Sequence, residues 1–288
     1  LELFNERTGD NINVDSTGLT STGGFNIAAL DNFEHLVINT HFGQNDIRMV
    51  RANTFQTFTV NANPQGGVIH LNELAGAPVR VNGSNQADTL RLRWSGNGFV
   101  STNVLFFGNS GADTLELSNG DLGRVTGRVD FSPGLGQDQI IFNDQNSIIT
   151  SAQYQLGTDS FRVIDAFTDL FHTFGDTEIV RVRGDSGANT FTVAPAALYS
   201  ADLAGNNGND TFNGGGSNRA TLRGGEGDDD FRVGNGDVSQ TAGLVDMQGE
   251  GGSDTFPTSG ILRASKTASV TDMLVGSAGT NTAKPGKG

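Results

Sequence analysis

A short glycine-rich turn closed by Asp or Asn recurs along this chain, and a large apolar residue follows two positions after nearly every one. Gly83 to Leu90 reads GSNQADTL, Gly108 to Leu115 GNSGADTL, Gly184 to Phe191 GDSGANTF, Gly205 to Phe212 GNNGNDTF, Gly224 to Phe231 GGEGDDDF and Gly249 to Phe256 GEGGSDTF. Shortened forms stand at Gly136 to Ile140 and Gly157 to Phe161, while Gly276 to Ala283 keeps the turn and loses the large apolar residue. The Asx positions are Asp88, Asp113, Asp138, Asp159, Asn189, Asp210, Asp229, Asp254 and Asn281, with gaps of 25, 25, 21, 30, 21, 19, 25 and 27. A period in the twenties marks a solenoid, in which a unit too small to bury its own apolar face stacks on its neighbours. The expected fold is therefore all-β: a right-handed parallel β-helix or β-solenoid with rungs of about 20–30 residues and two or three short strands per rung.

In such a coil the residues Leu90, Leu115, Ile140, Phe161, Phe191, Phe212, Phe231 and Phe256 are expected to form one interior column, repeating at the strand spacing of about 4.8 Å. Composition agrees. Phe is 19 against Tyr 2 and Trp 1, so the chain favours aromatics without a polar handle. Burying each contributes roughly 1.5–3 kcal/mol. Gly is 41 of 288 residues while Pro is only 6, which suits repeated tight turns better than a disordered linker. Earlier in the chain, Glu34 with Leu36 to Ile38 leads into Gly43 to Asp46. Glu178 with Ile179 to Arg183 leads into Gly184 to Asn189 in the same way. The two read as one structural step occurring twice. No helix is expected. Residues 1–275 are read as a single solenoid and 276–288 as a degenerate last turn with a flexible basic tail, since the lysines are Lys266, Lys284 and Lys287.

The net charge of −14 argues against a nucleic-acid partner, whose phosphates need a basic face. It is compatible with cation binding. There is no cysteine, hence no disulfide, thiolate metal site or cysteine nucleophile. No apolar run approaches the length of a membrane span. The chain opens on Leu1 and both ends fall within the strand-and-turn pattern. It is expected to belong to a longer array or to associate with itself through solenoid ends.

Gly224 to Arg232 fits the nonapeptide G-G-x-G-x-D-x-U-x at every fixed position, and Gly205 to Asn213 fits it with Asn206 for the second Gly. This block, 205–232, resembles the repeats of the RTX proteins secreted by Gram-negative bacteria. More loosely, the pattern from Glu178 through Gly184 to Val193 is similar to repeats of very large bacterial surface proteins. The resemblance implies Ca²⁺ bound between stacked glycine-rich turns, and an extracellular or bacterial cell-surface location. The chemistry is consistent: Ca²⁺ takes six to eight oxygens from carboxylates and backbone carbonyls, and glycine lets carbonyls point into a turn. The ligand candidates are Asp210, Asp229 and Asp254 with Gly208, Gly227 and Asp228, then Asp88, Asp113 and Asp138. Asn189, Asn281 and Gln86 depart from the pattern, so calcium is expected at some turns and not at others. The plainer alternative is that Asp and Asn simply cap tight turns through backbone N–H groups. For the 25-residue rungs that alternative leads.

Enzymatic signatures are few. His35, His41, His70 and His172 have no metal-ligand spacing, and neither a G-x-S-x-G elbow nor a P-loop is present. Trp94 is expected to pack at a strand edge. Arg183-Gly184-Asp185 spells an adhesion tripeptide, but its glycine is the first position of a repeat. Asn82-Gly83-Ser84 and Asn209-Asp210-Thr211 fit the glycosylation acceptor pattern inside turns that the repeat already explains. The function expected is a non-enzymatic structural or adhesive module, with a surface polysaccharide as a further partner. The competing readings are a carbohydrate-active β-helix enzyme (or its calcium-binding accessory module), which requires a lateral groove with acidic or basic side chains on adjacent coils, and a secretion segment that folds on meeting calcium.

Overall fold

The computed structural model describes residues 2–4, 11–15, 18–21, 26–27, 34–40, 43–49, 56–94, 96–166, 169–195, 197–214, 219–233, 244–258, 275–278 and 282–285. The protein is all-β. Its strands form two long, mostly parallel sheets, and the sole helical element among the described residues is a 3-10 turn at Leu122–Arg124. By contact the chain divides into two compact units, 1–141 with 172–177 and 142–171 with 178–288.

In the first unit each rung gives one strand to each of two sheets. His35–Asn39, Thr57–Asn61, Val79–Asn82, Val104–Phe107 and Val129–Ser132 pair in parallel in one sheet. Gly43–Met49, Gly67–Asn72, Asp88–Arg93 and Thr114–Leu117 do so in the other. The strands are short, rich in β-branched and aromatic residues, and alternate between the two faces. Leu36, Phe58 and Val79 face one another in register, as do Val60, Val81, Phe106 and Phe131, and all of these are buried. On the outer face Asn39, Asn61 and Asn82 form an amide ladder, with Asn61 Nδ2 donating to Asn39 Oδ1 at 2.8 Å and Asn82 Nδ2 to Asn61 Oδ1 at 2.7 Å. Asn11–Asp15 pairs in parallel with Gly43–Met49, but beyond it Gly18–Ser21 and Asn26–Ile27 add on antiparallel.

In the second unit Thr190–Val193, Thr211–Gly214, Asp230–Val233, Thr255–Thr258 and Thr282–Pro285 stack in parallel in one sheet. Ile179–Arg183, Ser200–Asn207, Arg219–Glu226, Leu244–Gly251 and Val275–Ala278 stack in the other. Thr282–Pro285 lies within the segment expected as a tail, and it pairs as a strand. The steps at Glu34 and Glu178 share one backbone contact, but the strands they lead into, His35–Asn39 and Ile179–Arg183, belong to different sheets, so they are not the same step. Glu34 O accepts from Gln56 N at 2.8 Å and Glu178 O from Ser200 N at 2.7 Å, each one rung on. Gly43 to Asp46 is not a turn, however, but the start of strand Gly43–Met49.

The expected single apolar column needs correction. Leu90 and Leu115 stack in register in the first unit, and Phe191, Phe212 and Phe231 stack in the second. Phe161 is buried and its ring stacks on Tyr154 at 6.2 Å and on Phe142 at 3.7 Å, but it does not arrive there as a parallel rung residue. It lies on Ser160–Ile164, which returns antiparallel on Gln153–Leu156. Gly157 to Ser160 is therefore a hairpin turn closed by Gly157 N donating to Ser160 O at 2.7 Å, and Asp159 is exposed rather than a rung Asx. A Gly-x-Asx-x-apolar string serves a hairpin as readily as a solenoid corner. Tyr154 stands in the place assigned to Phe161. Its ring stacks on Phe191 at 4.9 Å, and Phe191, Phe212, Phe231 and Phe256 continue at 4.8, 4.9 and 5.0 Å with planes within 6°. Each such pair contributes about 0.5–1.5 kcal/mol beyond its buried area.

Candidate functional site

The recurring turn assigns a separate physical task to each of its repeated positions. The apolar residue two places after the Asx enters the interior stack. The glycine five places before the Asx makes room for the Asx side chain. A Cβ on Gly205 would lie 1.9 Å from Asp210 Oδ2, one on Gly224 1.9 Å from Asp229 Oδ2, and one on Gly108 2.3 Å from Asp113 Oδ2. In the turns of Asp113, Asp210, Asp229 and Asp254 the residues four and two places before the Asx are left-handed. Asn109, Asn206, Gly225 and Glu250 have φ of 74, 76, 113 and 65°, and Gly111, Gly208, Gly227 and Gly252 have φ of 119, 103, 138 and 116°. Asn is the side chain that best tolerates this region, which explains Asn206 in place of the second glycine. Its amide also contributes: Asn206 Nδ2 donates to Gly184 O at 2.5 Å, and Asn109 Nδ2 to Gly83 O at 2.7 Å, each one rung back.

The Asx residues form ladders between rungs. Asp88 N donates to Asp113 Oδ1 at 2.8 Å, and Asp113 N to Asp138 Oδ1 at 2.7 Å. In the second unit Asn189 N donates to Asp210 Oδ1, Asp210 N to Asp229 Oδ1 and Asp229 N to Asp254 Oδ1, at 2.7, 2.8 and 3.0 Å. All of these side chains are buried. A second ladder runs the opposite way at the exposed position before the Asx. Asp228 N donates to Asn209 Oδ1 at 2.9 Å, and Ser253 N to Asp228 Oδ1 at 2.8 Å. From Asp210 to Asp254 the two ladders clasp neighbouring rungs from both directions.

The buried ladder has unmet chemistry. Asp113 Oδ2, Asp210 Oδ2 and Asp229 Oδ2 are shut from solvent and accept no hydrogen bond. Burial drives Asp210 up to about 8 and Asp113 and Asp229 up to about 7, opposed by the backbone donor on each and reinforced by the acids of neighbouring rungs. Asp88 and Asp254 are raised as well, again chiefly by burial. Asn189 meets the same position with an amide, donating from Nδ2 to Asp185 O at 3.0 Å and Gly187 O at 2.9 Å.

The structure thus brings Asp88, Asp113 and Asp138 into one column and Asp210, Asp229 and Asp254 into another. Gly208 and Gly227 lie at the corners, donating to Glu226 O and Gly251 O at 2.8 Å. Asp228 is exposed on the outer ladder, apart from the buried carboxylates. Asn281 and His41 lie outside the described residues. Among the described residues no three acidic or histidine side chains converge as a metal group. A cation at Asp210 and Asp229 would therefore have to combine their open Oδ2 atoms with backbone carbonyls. Gly224 O is suitably near, since it too lies 2.6 Å from the Gly205 Cβ position.

The other sequence features fall into structural roles. Asp185 of the adhesion tripeptide is fully buried, its carboxylate accepting from Ser151 N, Ala152 N and Gly187 N. Asn82 and Asn209 are ladder members. His70 is buried with Nδ1 2.7 Å from Asp46, and burial pushes it below its ordinary value; His172 is pushed to about 4 by burial and accepts from Val129 N. One feature was not anticipated from the sequence. In the second unit an open cleft lies over Ala204, lined by Arg183, Asp202, Asn206, Arg223 and Glu226. Its signal was present: Arg183, Ala204 and Arg223 are spaced by the same 21 and 19 residues as Asn189, Asp210 and Asp229.

Comparison with protein-family models, with curated proteins and with solved structures finds no match to this chain.

Proposed function

We propose that this chain is a non-enzymatic structural or adhesive β-solenoid module of the extracellular bacterial surface, of the kind the RTX-like turns imply. The observation that carries the reading is the use made of the repeated residues. The glycines, the Asx and the apolar residue are each consumed in stacking one rung on the next, so what the sequence repeats is scaffold. Calcium belongs to the proposal at Asp210 and Asp229, where two buried carboxylate oxygens lack donors beside a backbone carbonyl. The carboxylates also fit a second state, protonated and without metal, and thermal melts in calcium and in chelator separate the two. End-to-end association remains part of the reading. The antiparallel strands Gly18–Ser21 and Asn26–Ile27 restrict how a second copy would extend that sheet. Electron microscopy with and without chelator, beside a turnover screen on uronate polymers, tests the whole. Filaments or sheet-like arrays without turnover are the expected result. Short monomers in both conditions remove the fibre, and turnover removes the non-enzymatic reading.

The carbohydrate-active alternative has one observation in its favour. The cleft over Ala204 carries acidic and basic side chains on adjacent rungs, the lateral groove that this alternative requires.

A further inference from the structure

We infer that the cleft over Ala204 is a subsite for an acidic saccharide unit, holding the sugar carboxylate at Arg183. The inference rests on the adhesive reading, since it names the partner of that surface. Arg183, Ala204 and Arg223 occupy facing positions on three neighbouring strands, Ile179–Arg183, Ser200–Asn207 and Arg219–Glu226. The small residue between two long ones leaves a notch whose arginine walls stand about 10 Å apart at the backbone, two strand spacings.

The two walls differ in how their charge is used. Arg223 Nη1 is 2.5 Å from Asp202 Oδ1, and Arg181 Nε is 3.6 Å from Asp202 Oδ2. Arg223 and Asp202 are thereby engaged with each other. Arg183 makes no ion pair among the described residues, and its guanidinium presents a planar fork suited to a carboxylate. At the far end, the backbone of Gly224 and Gly225 is buried beneath the floor, and the exposed carboxylates of Glu226 and Glu250 border it, with Asn206 beside them. Glu226 and Glu250 supply carboxylate acceptors of the kind that bind sugar hydroxyls. A cation at one end and carboxylate acceptors at the other match a ring that carries one carboxylate and several hydroxyls. They do not match a polyphosphate or an all-acidic peptide, which has no hydroxyl to donate to Glu226 and Glu250.

Calorimetric titration of the purified 288-residue chain with trigalacturonate, galactotriose and triglutamate tests the assignment. Trigalacturonate is expected to bind about tenfold tighter than either of the others, the discrimination of one charge-assisted pair. Arg183→Gln is expected to reduce its affinity to that of galactotriose. Ala204→Leu, which fills the notch without altering charge, is expected to abolish binding, with both variants melting at the wild-type temperature. Equal affinity for triglutamate indicates a simple anion site and overturns the inference, as does an affinity indifferent to Arg183→Gln or no binding by the wild type. Those failures leave the scaffold reading untouched. Turnover of bound saccharide instead overturns the non-enzymatic reading while leaving the subsite in place.

Discussion

The turn at Gly83 to Leu90 and the turns at Gly205 to Phe231 place an Asp at the same point of a rung, yet the carboxylate does different work. In the first turn Ser84 and Gln86 stand where the second block has left-handed residues. Ser84 N donates to Asp88 Oδ2 at 2.6 Å, and Gln86 N to Ser84 Oγ at 3.0 Å, so the Asp closes its own turn. In the second block the left-handed Gly208 and Gly227 send their N–H groups to the next rung, and Oδ2 of Asp210 and Asp229 is left without a donor. Backbone handedness two and four residues before the Asx thus decides which oxygen is met: at Asp88 the turn's own N–H reaches Oδ2 and Oδ1 is the one without a donor. A turn that gives its donors to its neighbour leaves a buried acid needing a proton or a cation.

The strongest way to break this comparison is at the glycine under the carboxylate. Gly205→Ala is expected to destabilise by roughly 3 kcal/mol, because the new Cβ is pinned between Asp210 Oδ2 and Gly224 O. Gly83→Ala leaves the carboxylate in place, its Cβ meeting Asp88 Oδ2 at 3.2 Å and Gly108 O at 2.6 Å. About half that loss is expected in urea unfolding. Equal losses would show that the two turns do not differ in this way.

Amide replacement sharpens the contrast by testing the unmet oxygen in each turn. Asp210→Asn keeps the acceptor for Asn189 N and puts a donor where Oδ2 is unmet, as native Asn189 already does. A gain of about 1–2 kcal/mol in chelator is expected. Asp88→Asn can keep its oxygen on Ser84 N and put its amide at the place of the unmet Oδ1, so a change within about 1 kcal/mol is expected. If calcium occupies the Asp210 turn, the calcium-dependent part of the wild-type melting temperature disappears in Asp210→Asn, and a melt in each medium reads that directly.

The pH dependence follows with a definite sign. Asp210 at about 8 and Asp113 and Asp229 at about 7 lie above the unfolded carboxylate value of 3.8, so the folded chain holds more protons between these limits. Their contribution is full below about pH 4 and lost as pH rises through 7 to 8. The urea midpoint in chelator is expected to fall from about pH 5 to about pH 8.5, less steeply in Asp210→Asn. A midpoint that instead climbs over this range would show the carboxylates to be charged in the folded state. The smallest effect belongs to Gly96→Ala. Its φ is 56° and no atom lies within 4 Å of the added Cβ, so about 1 kcal/mol of backbone strain is the whole of the loss. It calibrates how much of the Gly205 effect is contact.

Much of the fold was legible because a solenoid repeats in space what it repeats in sequence. Leu90 with Leu115, and Phe191 with Phe212 and Phe231, could be aligned by counting, and the strands place them face to face. Phe161 could not be told from them, because its five-residue string suits a hairpin equally well and only long-range pairing separates the two. Tyr154 was hidden for the converse reason. It carries no repeat string, yet it continues the Phe191 stack from the hairpin, with its hydroxyl donating to Asp144 Oδ2 at 2.8 Å.

The sequence by itself determined the β class, the rung period and the residues that stack, since these follow from local turn chemistry and a fixed strand spacing. Tertiary structure decided what the turn Asp does. Whether a carboxylate finds a backbone donor depends on the direction in which neighbouring N–H groups point, and that is set by the residues two and four places before it in its own turn. It also decided that Arg183, Ala204 and Arg223 share a cleft, because the outward row of a sheet exists only once separate rungs lie side by side.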